Sequence, residues 1–439
     1  MSPRQPWSPR VPMFAWIVPI AVIVLMASPL EGQDRARYLD QARQILREVP
    51  LIDGHNDLPW EVRVSFGFSL DSAHIDLGQP RLMTDIPRLR AGLVGGQFWS
   101  TYTPSGFEGR GAARAGMEQV DIVHRLAARY PETFELARTA DDVERIHRAG
   151  KIASLNGLEG GHMIENSLAV LRDFARLGVN YMTLTHSRNT AWADAATDSM
   201  VHRGLTRFGE EVIREMNRLG VLVDLSHTSD STMWDVLRVA QAPVIYSHSS
   251  ARHFTPHPRN VPDDILRAVA KNGGVVMVNY VTGFIHRPTY DHGQRQSAYQ
   301  QGLGQRGLDS AAVRDSMRAW GQRNPAPRPD LNVVVDHIEH IRDVAGVDHV
   351  GIGGDLDGIE DTPVGLEDVS TYPALVAEML KRGWMPGDVK KVVGLNILRV
   401  MRQAEAVAAR LQRERAPSTA QIEILDGWST KPPLEGPVR

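Results

Sequence analysis

The stretch that decides the fold class is residues 208–227, FGEEVIREMNRLGVLVDLSH, in which an amphipathic helix, a glycine and a short apolar strand follow one another. Glycine directly after a helix is the usual left-handed cap. A short apolar strand after that glycine is typical of a parallel sheet that is buried on both faces. The stretch therefore predicts one helix-to-strand step of an α/β fold, and the strand closes on a histidine, His227.

The same step recurs along the chain. Three more helices stop at a glycine before a strand, and these pairs are 166–177 with 180–186, 263–272 with 275–280, and 332–345 with 349–355. Four further apolar segments bring the predicted strands to eight, namely 51–55, 92–98, 152–159 and 243–248. Eight is the number that a closed (β/α)8 barrel of the TIM type needs. We therefore predict this α/β barrel, with an open doubly wound sheet as the structural alternative.

Composition excludes several classes of protein. The 439 residues carry 49 basic and 52 acidic side chains, a formal net charge of −3, so no general attraction to nucleic acid is expected. No heptad or solenoid period is visible, which argues against a coiled coil or a repeat array. The chain contains no cysteine, which excludes disulfides, thiol nucleophiles and cysteine-ligated zinc. Any metal must therefore be held by nitrogen and oxygen atoms.

The N-terminal segment, residues 1–33, differs from the rest. Arg4 and Arg10 precede an uncharged apolar stretch, residues 11–30, which is typical of an export signal and is also long enough to be a membrane anchor. We favour a cleaved signal, with the mature protein periplasmic or extracellular. Any membrane association is expected only through residues 11–30.

The remainder is predicted to be one barrel domain, residues 34–415, followed by a polar tail, residues 416–439. A segment rich in Gln, Arg, Pro and Gly, residues 287–329, interrupts the barrel between its seventh and eighth strands. It lies on the side where barrel active sites form, so it is either a lid or a surface insertion without a role in the chemistry.

Six acidic and histidine side chains each terminate a predicted strand. In a barrel of this type the carboxyl ends of the strands converge on the active site. A single histidine beside a strand is usually a core or surface residue, but six such placements are difficult to attribute to chance. The six residues are His55, Glu159, His186, His227, His248 and Asp355.

Their spacing suggests two metal ions. His55 and Asp57 are two residues apart, so in an extended chain their side chains leave the same face and can reach one ion. His227 and His248 end consecutive strands and suit a borderline ion such as Zn²⁺. Glu159 is the obvious bridge between the two, because none of the six lysines lies at the carboxyl end of a strand. Two such ions can ionise a water, and Asp355 is placed to take its proton and return it to a leaving amine.

At these residues the chain resembles the membrane dipeptidase (renal dipeptidase) family of metallopeptidases, within the amidohydrolase-type barrels. The resemblance covers most of residues 48–402. Its motifs are 53–57 DGHND, 95–99 GGQFW, 158–162 LEGGH, 184–190 LTHSRNT, 247–250 SHSS, 259–263 RNVPD and 353–358 GGDLDG.

The resemblance implies a role for each site residue. His55 and Asp57 would bind one zinc, His227 and His248 the other, and Glu159 would bridge them, giving two Zn²⁺ per subunit. Three further roles follow from the family: His186 steadies the oxyanion, Asp355 moves the proton, and Arg259 binds the substrate carboxylate, which a guanidinium fork matches well. The groups expected to act on the reacting atoms are Asp355, His186 and Glu159.

The expected function is therefore that of an exported zinc-dependent dipeptidase in which a metal-bridging hydroxide attacks the peptide bond of small dipeptides. A related metal-dependent amidase acting on N-acyl amino acids or lactones is the alternative, and a noncatalytic exported binding protein is a third. Arg188 stands where mammalian members have cysteine, so the homodimer that the family implies would be noncovalent. The segment 287–329 is longer than in those members, and no glycolipid anchor signal is present.

Overall fold

The computed structural model describes residues 29–428. The predicted signal or anchor segment, residues 1–33, lies outside the described residues apart from its last few, which begin a helix at Pro29. Within the described part, no helix combines the length and the apolar character that crossing a bilayer requires.

Nine parallel strands form the sheet. Eight of them pair in a ring in the order β1-β2-β4-β5-β6-β7-β8-β9, and β9 returns to β1 through Ile352 and Asp53. The predicted (β/α)8 barrel is confirmed, and the open sheet is wrong because every strand of the ring is paired on both edges. The strands are β1 Leu51–Asn56, β2 Val94–Ser100, β3 Phe134–Leu136, β4 Ile152–Glu159, β5 Val179–Thr183, β6 Leu222–Asp224, β7 Ile245–Tyr246, β8 Val275–Val278 and β9 Val350–Ile352.

Strand β3 is the one that the sequence did not predict. It pairs with residues 152–154 of β4, on the edge that β5 occupies from Asn156 onward. The other edge of β4 is filled by β2. The strand β3 therefore lies outside the ring, and the number of barrel strands remains eight.

The helices surround the ring. Gly178, Gly220 and Gly273 end their helices in the left-handed conformation, as the sequence predicted, whereas Gly346 follows its helix at φ +99° and ψ 153°. The α-helices of the described chain are α1 Pro29–Glu48, α2 Leu58–Phe66, α3 Leu70–Ala73, α4 Ile86–Ala91, α5 Ala112–Arg129, α6 Ala140–Arg148, α7 Leu168–Leu177, α8 Arg207–Leu219, α9 Asp230–Val239, α10 Asp263–Asn272, α11 Thr282–Ile285, α12 Arg287–Gln305, α13 Ser310–Arg323, α14 Leu331–Ala345, α15 Tyr372–Lys381, α16 Pro386–Lys390, α17 Asn396–Glu414 and α18 Ile422–Asp426.

Four strands are shorter than predicted at the end that carries the site. Strands β5, β6, β7 and β9 stop two or three residues before His186, His227, His248 and Asp355. At β6 the cause is visible, because the Asp224 carboxylate accepts hydrogen bonds from the backbone N–H of Ser226 and of Ser247, at 3.0 and 2.9 Å. A side chain thus replaces the strand ladder, and the site residues lie on loops just beyond the strands.

The segment 287–329 is helical, which its sequence did not predict. Helices α12 and α13 form it, and α13 has no buried residue. The hydroxyl of Thr289 donates to the carbonyl of Pro327 at 2.8 Å, which joins the two ends of the segment. No residue of 287–329 lines the cavity described below.

Of the predicted tail, residues 416–428 are described and lie along α8. The hydroxyl of Ser418 donates to Glu211 at 3.0 Å, Ile422 is buried, and the carboxylate of Asp426 accepts from the backbone N–H of Phe208 at 3.2 Å. The described part of the tail is thus attached to the outer face of the barrel.

Candidate metal and active site

A cavity of about 470 Å³ opens at the carboxyl ends of the barrel strands. Its size is within the range of small-molecule sites. Most of the residues that the sequence singled out line it or lie directly beneath it. The lining residues are Asp57, Trp60, Glu61, Tyr102, Glu159, His186, His227, His248, Arg259, Val281, Phe284, Asp355, Asp357, Gly358, Ile359 and Glu360.

Glu159 stands at the centre of this group. Its Oε2 atom lies 3.4 Å from His55 Nε2, and its Oε1 atom lies 3.1 Å from His227 Nε2 and 3.6 Å from His248 Nε2. The two carboxylate oxygens thus face two different sets of imidazoles. Glycines 160 and 161 permit this close packing, because a Cβ at Gly161 would lie 2.4 Å from the carbonyl oxygen of Leu184.

His55 brings the first set together. Its Nε2 atom lies 3.4 Å from Asp57 Oδ2 and 4.0 Å from Asp355 Oδ1. The backbone fixes this arrangement, because Asp355 N donates to the His55 carbonyl at 3.2 Å and Asp57 N donates to the Leu356 carbonyl at 3.0 Å. The pairing of β1 with β9 thus continues past the strands into the site.

A tyrosine orients the ring of His55. The Tyr181 hydroxyl donates to the Gly54 carbonyl at 3.2 Å and accepts from His55 Nδ1 at 2.8 Å, so the neutral ring keeps its proton on Nδ1 and directs the lone pair of Nε2 at the carboxylates. Tyr181 can reach across the barrel because Gly157 leaves room for it: a Cβ there would lie 2.1 Å from the tyrosine ring. Such outer partners fix the tautomer of metal-binding histidines.

His248 is oriented in the same way by a serine and an aspartate. The Ser247 hydroxyl donates to Asp224 Oδ2 at 2.7 Å and accepts from His248 Nδ1 at 2.7 Å. The Nε2 atom of His248 is therefore free of a proton and faces Glu159. Two independent hydroxyl groups thus present two imidazole lone pairs to the same buried space.

His186 lies at the edge of the cluster. Its Nε2 atom is 3.6 Å from Glu159 Oε1, as close as that of His248, but its side chain is 20% exposed and its Nδ1 atom has no hydrogen-bond partner within the described chain. Its ring packs against Tyr102, with centroids 4.7 Å apart. Because no second group fixes its tautomer, His186 is better placed to face a substrate than to bind a metal.

The charges of the cluster attract a cation. Burial raises the pKa of Glu159, but the imidazoles around it, His55 above all, lower it by more. The net result is a pKa well below the ordinary value. Burial lowers the pKa of His55, but Tyr181, Glu159 and Asp57 raise it well above its ordinary value. A positive charge is therefore favourable at the position that His55 Nε2 faces.

The remaining two imidazoles are arranged as metal ligands. Burial, together with nearby positive charge that includes Arg259, lowers the pKa of both His227 and His248 well below the ordinary value, so both rings are neutral. Their Nε2 atoms lie only 3.0 Å apart, and His55 Nε2 is buried without a hydrogen-bond partner within the described chain. A buried nitrogen without a partner is costly. The donors present therefore fit metal ions, which would satisfy all three nitrogens.

Arg259 places a buried positive charge beside the cluster. The side chain is 3% exposed, and burial lowers its pKa to about 10, so it remains charged at neutral pH. Its guanidinium makes only two long hydrogen bonds, to Ser249 Oγ and to the His248 carbonyl, both at 3.4 Å. No carboxylate of the described residues lies within 4.0 Å of it, so it is available to a ligand anion.

Asp355 is held in an unusual conformation above the cluster. Its backbone has φ +62°, in the left-handed region that non-glycine residues seldom adopt. Burial first, and then the charges of Asp57 and Glu159, raise the pKa of its carboxyl group well above the ordinary value. A carboxyl group whose pKa is raised in this way is a candidate for proton transfer.

Several residues of the cavity were not predicted from the sequence. Trp60 and Tyr102 pack edge to face with ring centroids 5.0 Å apart and form one wall. Glu61, Asp357 and Glu360 add carboxylates to the lining, and burial raises the pKa of Asp357 to about 7. Asp357 lies two residues after Asp355 in the 353–358 motif, so its position near the site follows from that of its neighbour. The other four carry no recognisable spacing.

The sequence was also compared with known proteins. Residues 39–415 match the family described as membrane dipeptidase (peptidase family M19). Dipeptidase verJ of Clonostachys rogersoniana is 42% identical over 389 residues, which covers 85% of this chain and 89% of that protein. Dipeptidase 3 of Mus musculus is 41% identical over 393 residues, which covers 88% of this chain and 70% of that protein.

Solved structures share the fold. The probable dipeptidase PvdM from Pseudomonas aeruginosa superposes with a TM-score of 0.75 at 20% sequence identity, over 85% of this chain and 100% of that one. At this level of identity the likeness concerns the fold alone.

Proposed function

Since the chain belongs to the membrane dipeptidase family, peptidase family M19, it is a metallo-dipeptidase, and we propose that it is a zinc-dependent enzyme that hydrolyses free dipeptides in the cavity at the end of its barrel. The family membership predicted from the sequence motifs is confirmed. We further propose the identity of the metal, its ligands and the role of each side chain.

Arg259 is the observation that carries the proposal. A guanidinium that is buried, charged and without a carboxylate partner among the described residues is unfavourable unless an anion binds to it. The α-carboxylate of a dipeptide is such an anion, and its planar shape matches the guanidinium fork. A carboxylate bound there lies in the same cavity as the imidazole and carboxylate cluster, so its peptide bond can reach that cluster.

The cluster supports two metal positions. We assign His55, Asp57 and Glu159 to one ion and His227, His248 and Glu159 to the other, because the two oxygens of Glu159 face these two sets separately. Nitrogen and oxygen donors of this kind are the usual ligands of zinc. When bound, two such ions supply Lewis-acid activation of a carbonyl group and of water.

The remaining residues handle protons and charge. Asp355, which lines the cavity 4.0 Å from His55 Nε2, accepts a proton from the attacking water and donates it to the departing amine. His186 faces the cavity and donates to the oxygen that becomes negative during attack, since its side chain is partly exposed. The acidic lining of Glu61, Asp357 and Glu360 favours a substrate with a free ammonium group.

The acidic lining separates the proposed dipeptidase from the alternative, an amidase for N-acyl amino acids or lactones, because only a free dipeptide carries the ammonium group. We predict that free dipeptides are cleaved efficiently, whereas the N-acetyl and C-amide forms of the same dipeptides are poor substrates. Arg259→Ala is expected to raise KM for dipeptides at least about 10-fold, because a charge-assisted bidentate contact is lost. The measurement is steady-state kinetics on the three substrate forms with wild type and variant.

The C-amide provides the control, because it has no negative charge with which Arg259 can pair. Its hydrolysis should therefore change little in the variant. Equal cleavage of N-acetyl and free dipeptides by the wild type would favour the amidase. An unchanged KM for free dipeptides in Arg259→Ala would contradict the assignment of the carboxylate site.

We also propose that the enzyme is exported through residues 1–33 and that it acts as a noncovalent homodimer. The two arginines before an apolar stretch support export, and the absence of cysteine from the sequence limits any dimer to noncovalent contacts. N-terminal sequencing of the mature protein and light scattering of the purified enzyme test the two statements.

A further inference from the structure

A second group of potential metal ligands lies outside the catalytic cavity. His253 is in the loop after β7, Asp263 is the first residue of α10, and His340 is in α14. Each offers one ligand atom, and these atoms all lie within 4.8 Å of one another. None of the three residues lines the catalytic cavity.

The three side chains are already in contact. His340 Nε2 lies 2.8 Å from Asp263 Oδ1, and the ring of His253 stacks on that of His340 with centroids 4.2 Å apart and planes 17° apart. Two imidazoles and a carboxylate thus share one small space although they come from three separate elements. The side chain of His253 is exposed, so its ring can turn without displacing a buried neighbour.

The surroundings hold this group in place. His337, one helical turn before His340, is fully buried, and both its ring nitrogens are satisfied, one by Ala251 N and the other by the Ile285 carbonyl, each at 3.0 Å. His337 is therefore not a ligand and instead fixes α14 against the loop. Phe254 packs against His337 and His340, with centroids 4.8 and 5.5 Å away.

From this geometry we propose that His253, Asp263 and His340 bind one divalent transition-metal ion, with Zn²⁺ as the ion of choice. Two imidazole nitrogens and one carboxylate oxygen suit zinc and its neighbours, whereas magnesium and calcium prefer oxygen ligands alone. His340 and Asp263 have side-chain exposures of 15% and 34%, so the site is sheltered but leaves positions open for water.

An ion bound here would stabilise the loop that carries Arg259. In that loop Ala251 pairs with Val261, and Arg252 N donates to the Val261 carbonyl at 2.9 Å. The ion would link this loop to α10 and α14. Its role is structural, so the proposal does not depend on the peptidase activity.

The test is calorimetric titration of Zn²⁺ into the enzyme after its catalytic metals have been loaded and free metal removed. The wild type is expected to bind one further equivalent per chain, with a rise in Tm. Asp263→Asn keeps a hydrogen bond to His340 but removes the anionic ligand, and His340→Gln removes an imidazole. Each is expected to weaken the extra binding at least about 10-fold, since even outer partners of metal ligands are worth about 10- to 100-fold in affinity.

His74→Gln is the matched control, because His74 is exposed and its side chain has no hydrogen bond or ion pair to the described residues. It should bind the extra equivalent like the wild type. No extra equivalent in the wild type, or equal binding by Asp263→Asn and His340→Gln, would overturn the proposal. If a variant does not fold, anomalous scattering from zinc-soaked wild-type crystals decides: a peak between the three side chains supports the site, and its absence contradicts it.

Discussion

At the scale of single residues, the site depends on backbone conformations that most side chains avoid. His227 and Asp355 have φ values of +69° and +62°. Such positions cost of order 1–3 kcal/mol and persist only where the surroundings enforce them. At Asp355 the backbone N–H donates to His55, and the carbonyl accepts from Gly358 N at 3.2 Å. The turn therefore directs the carboxyl group into the cavity.

We predict that Asp355→Asn abolishes most of the activity while leaving the fold intact. Asparagine tolerates the left-handed conformation well, so the turn should survive. The amide cannot accept the proton, and kcat should fall by about 10²- to 10⁴-fold, the usual contribution of a general acid–base. The measurements, all on the same preparation, are kinetics for the activity, metal analysis for the metal content and a thermal melt for the fold. Wild-type turnover at full metal content would remove Asp355 from the proton transfer.

The placement of six acidic and histidine side chains at the cavity could be predicted because each ends a recognisable apolar strand, whereas Arg259 was implied only by the family resemblance. The groups that orient them could not. Tyr181 and Ser247 set the tautomers of His55 and His248, but this is a property of the closed barrel, in which Tyr181 lies 126 residues along the chain from its partner. Trp60, in the first turn of α2, and Tyr102, in the loop after β2, likewise reach the cavity without a spacing that marks them in the sequence.

At the scale of elements, the backbones just after β7 and β9 lie so close together that Gly353 could not carry a side chain. A Cβ at Gly353, directly after β9, would lie 1.9 Å from the carbonyl oxygen of Ser247. Ser247 and His248 follow β7, and Asp355 follows Gly353. Glycine at this position therefore sets the distance between a predicted metal ligand and the predicted proton carrier.

We predict that Gly353→Ala destabilises the protein and impairs the site, because the backbone carbonyl that the methyl group would meet cannot rotate away. Overpacking of this kind costs about 1–3 kcal/mol. Urea unfolding and kcat are the measurements. The control is Gly321→Ala in α13, where a Cβ meets no atom within 4 Å and the substitution should be neutral or stabilise by about 0.5–1 kcal/mol. Equal stability of the two variants would contradict this account of Gly353.

The accuracy of the predicted elements varied with how strongly each is patterned. Residues 263–272 and 152–159 have the predicted bounds, because a proline start, a glycine stop or a long apolar run defines them. Helices α12 and α13 were missed because few of their residues are buried, so no apolar stripe marks them. The short strand β3 has too few residues to show a pattern at all.

At the scale of the whole molecule, the buried cluster predicts that stability depends on metal. Three carboxylates and four imidazoles meet with no lysine or arginine ion pair among the described residues to neutralise the carboxylates. Ligands that bind only the native state stabilise it by mass action, by about 2.7 kcal/mol at 100 times the Kd. The folded barrel is therefore expected to be more stable with metal than without.

We predict that stripping the enzyme with a chelator abolishes activity and lowers Tm by several degrees, and that zinc restores both. Metal analysis before and after the treatment, with parallel melts and assays, provides the measurement. Full activity after verified loss of metal would refute the metallo-enzyme assignment. Restored activity without any change in Tm would separate catalysis from the predicted stabilisation.

The barrel as a whole could be predicted because four steps of helix, glycine and strand repeat a local rule, and four further apolar segments bring the strands to the eight that close a ring. Features outside that repetition were less predictable from the sequence. Export through residues 1–33, the role of 287–329 and the assembly into dimers are still predictions. Their functions depend on membranes, partners or substrates rather than on internal packing.

The closure of the ring has a consequence for biosynthesis. The Asp53 carboxylate accepts from Gly354 N at 2.8 Å, across 301 residues of sequence, and so ties the first strand to the last. A nascent chain emerging from the ribosome therefore lacks a complete site until about four-fifths of it has been translated, since Asp355 is the last of the groups to arrive. Truncated products that end before Asp355 would carry the histidines without the proposed proton carrier, and we expect them to be inactive.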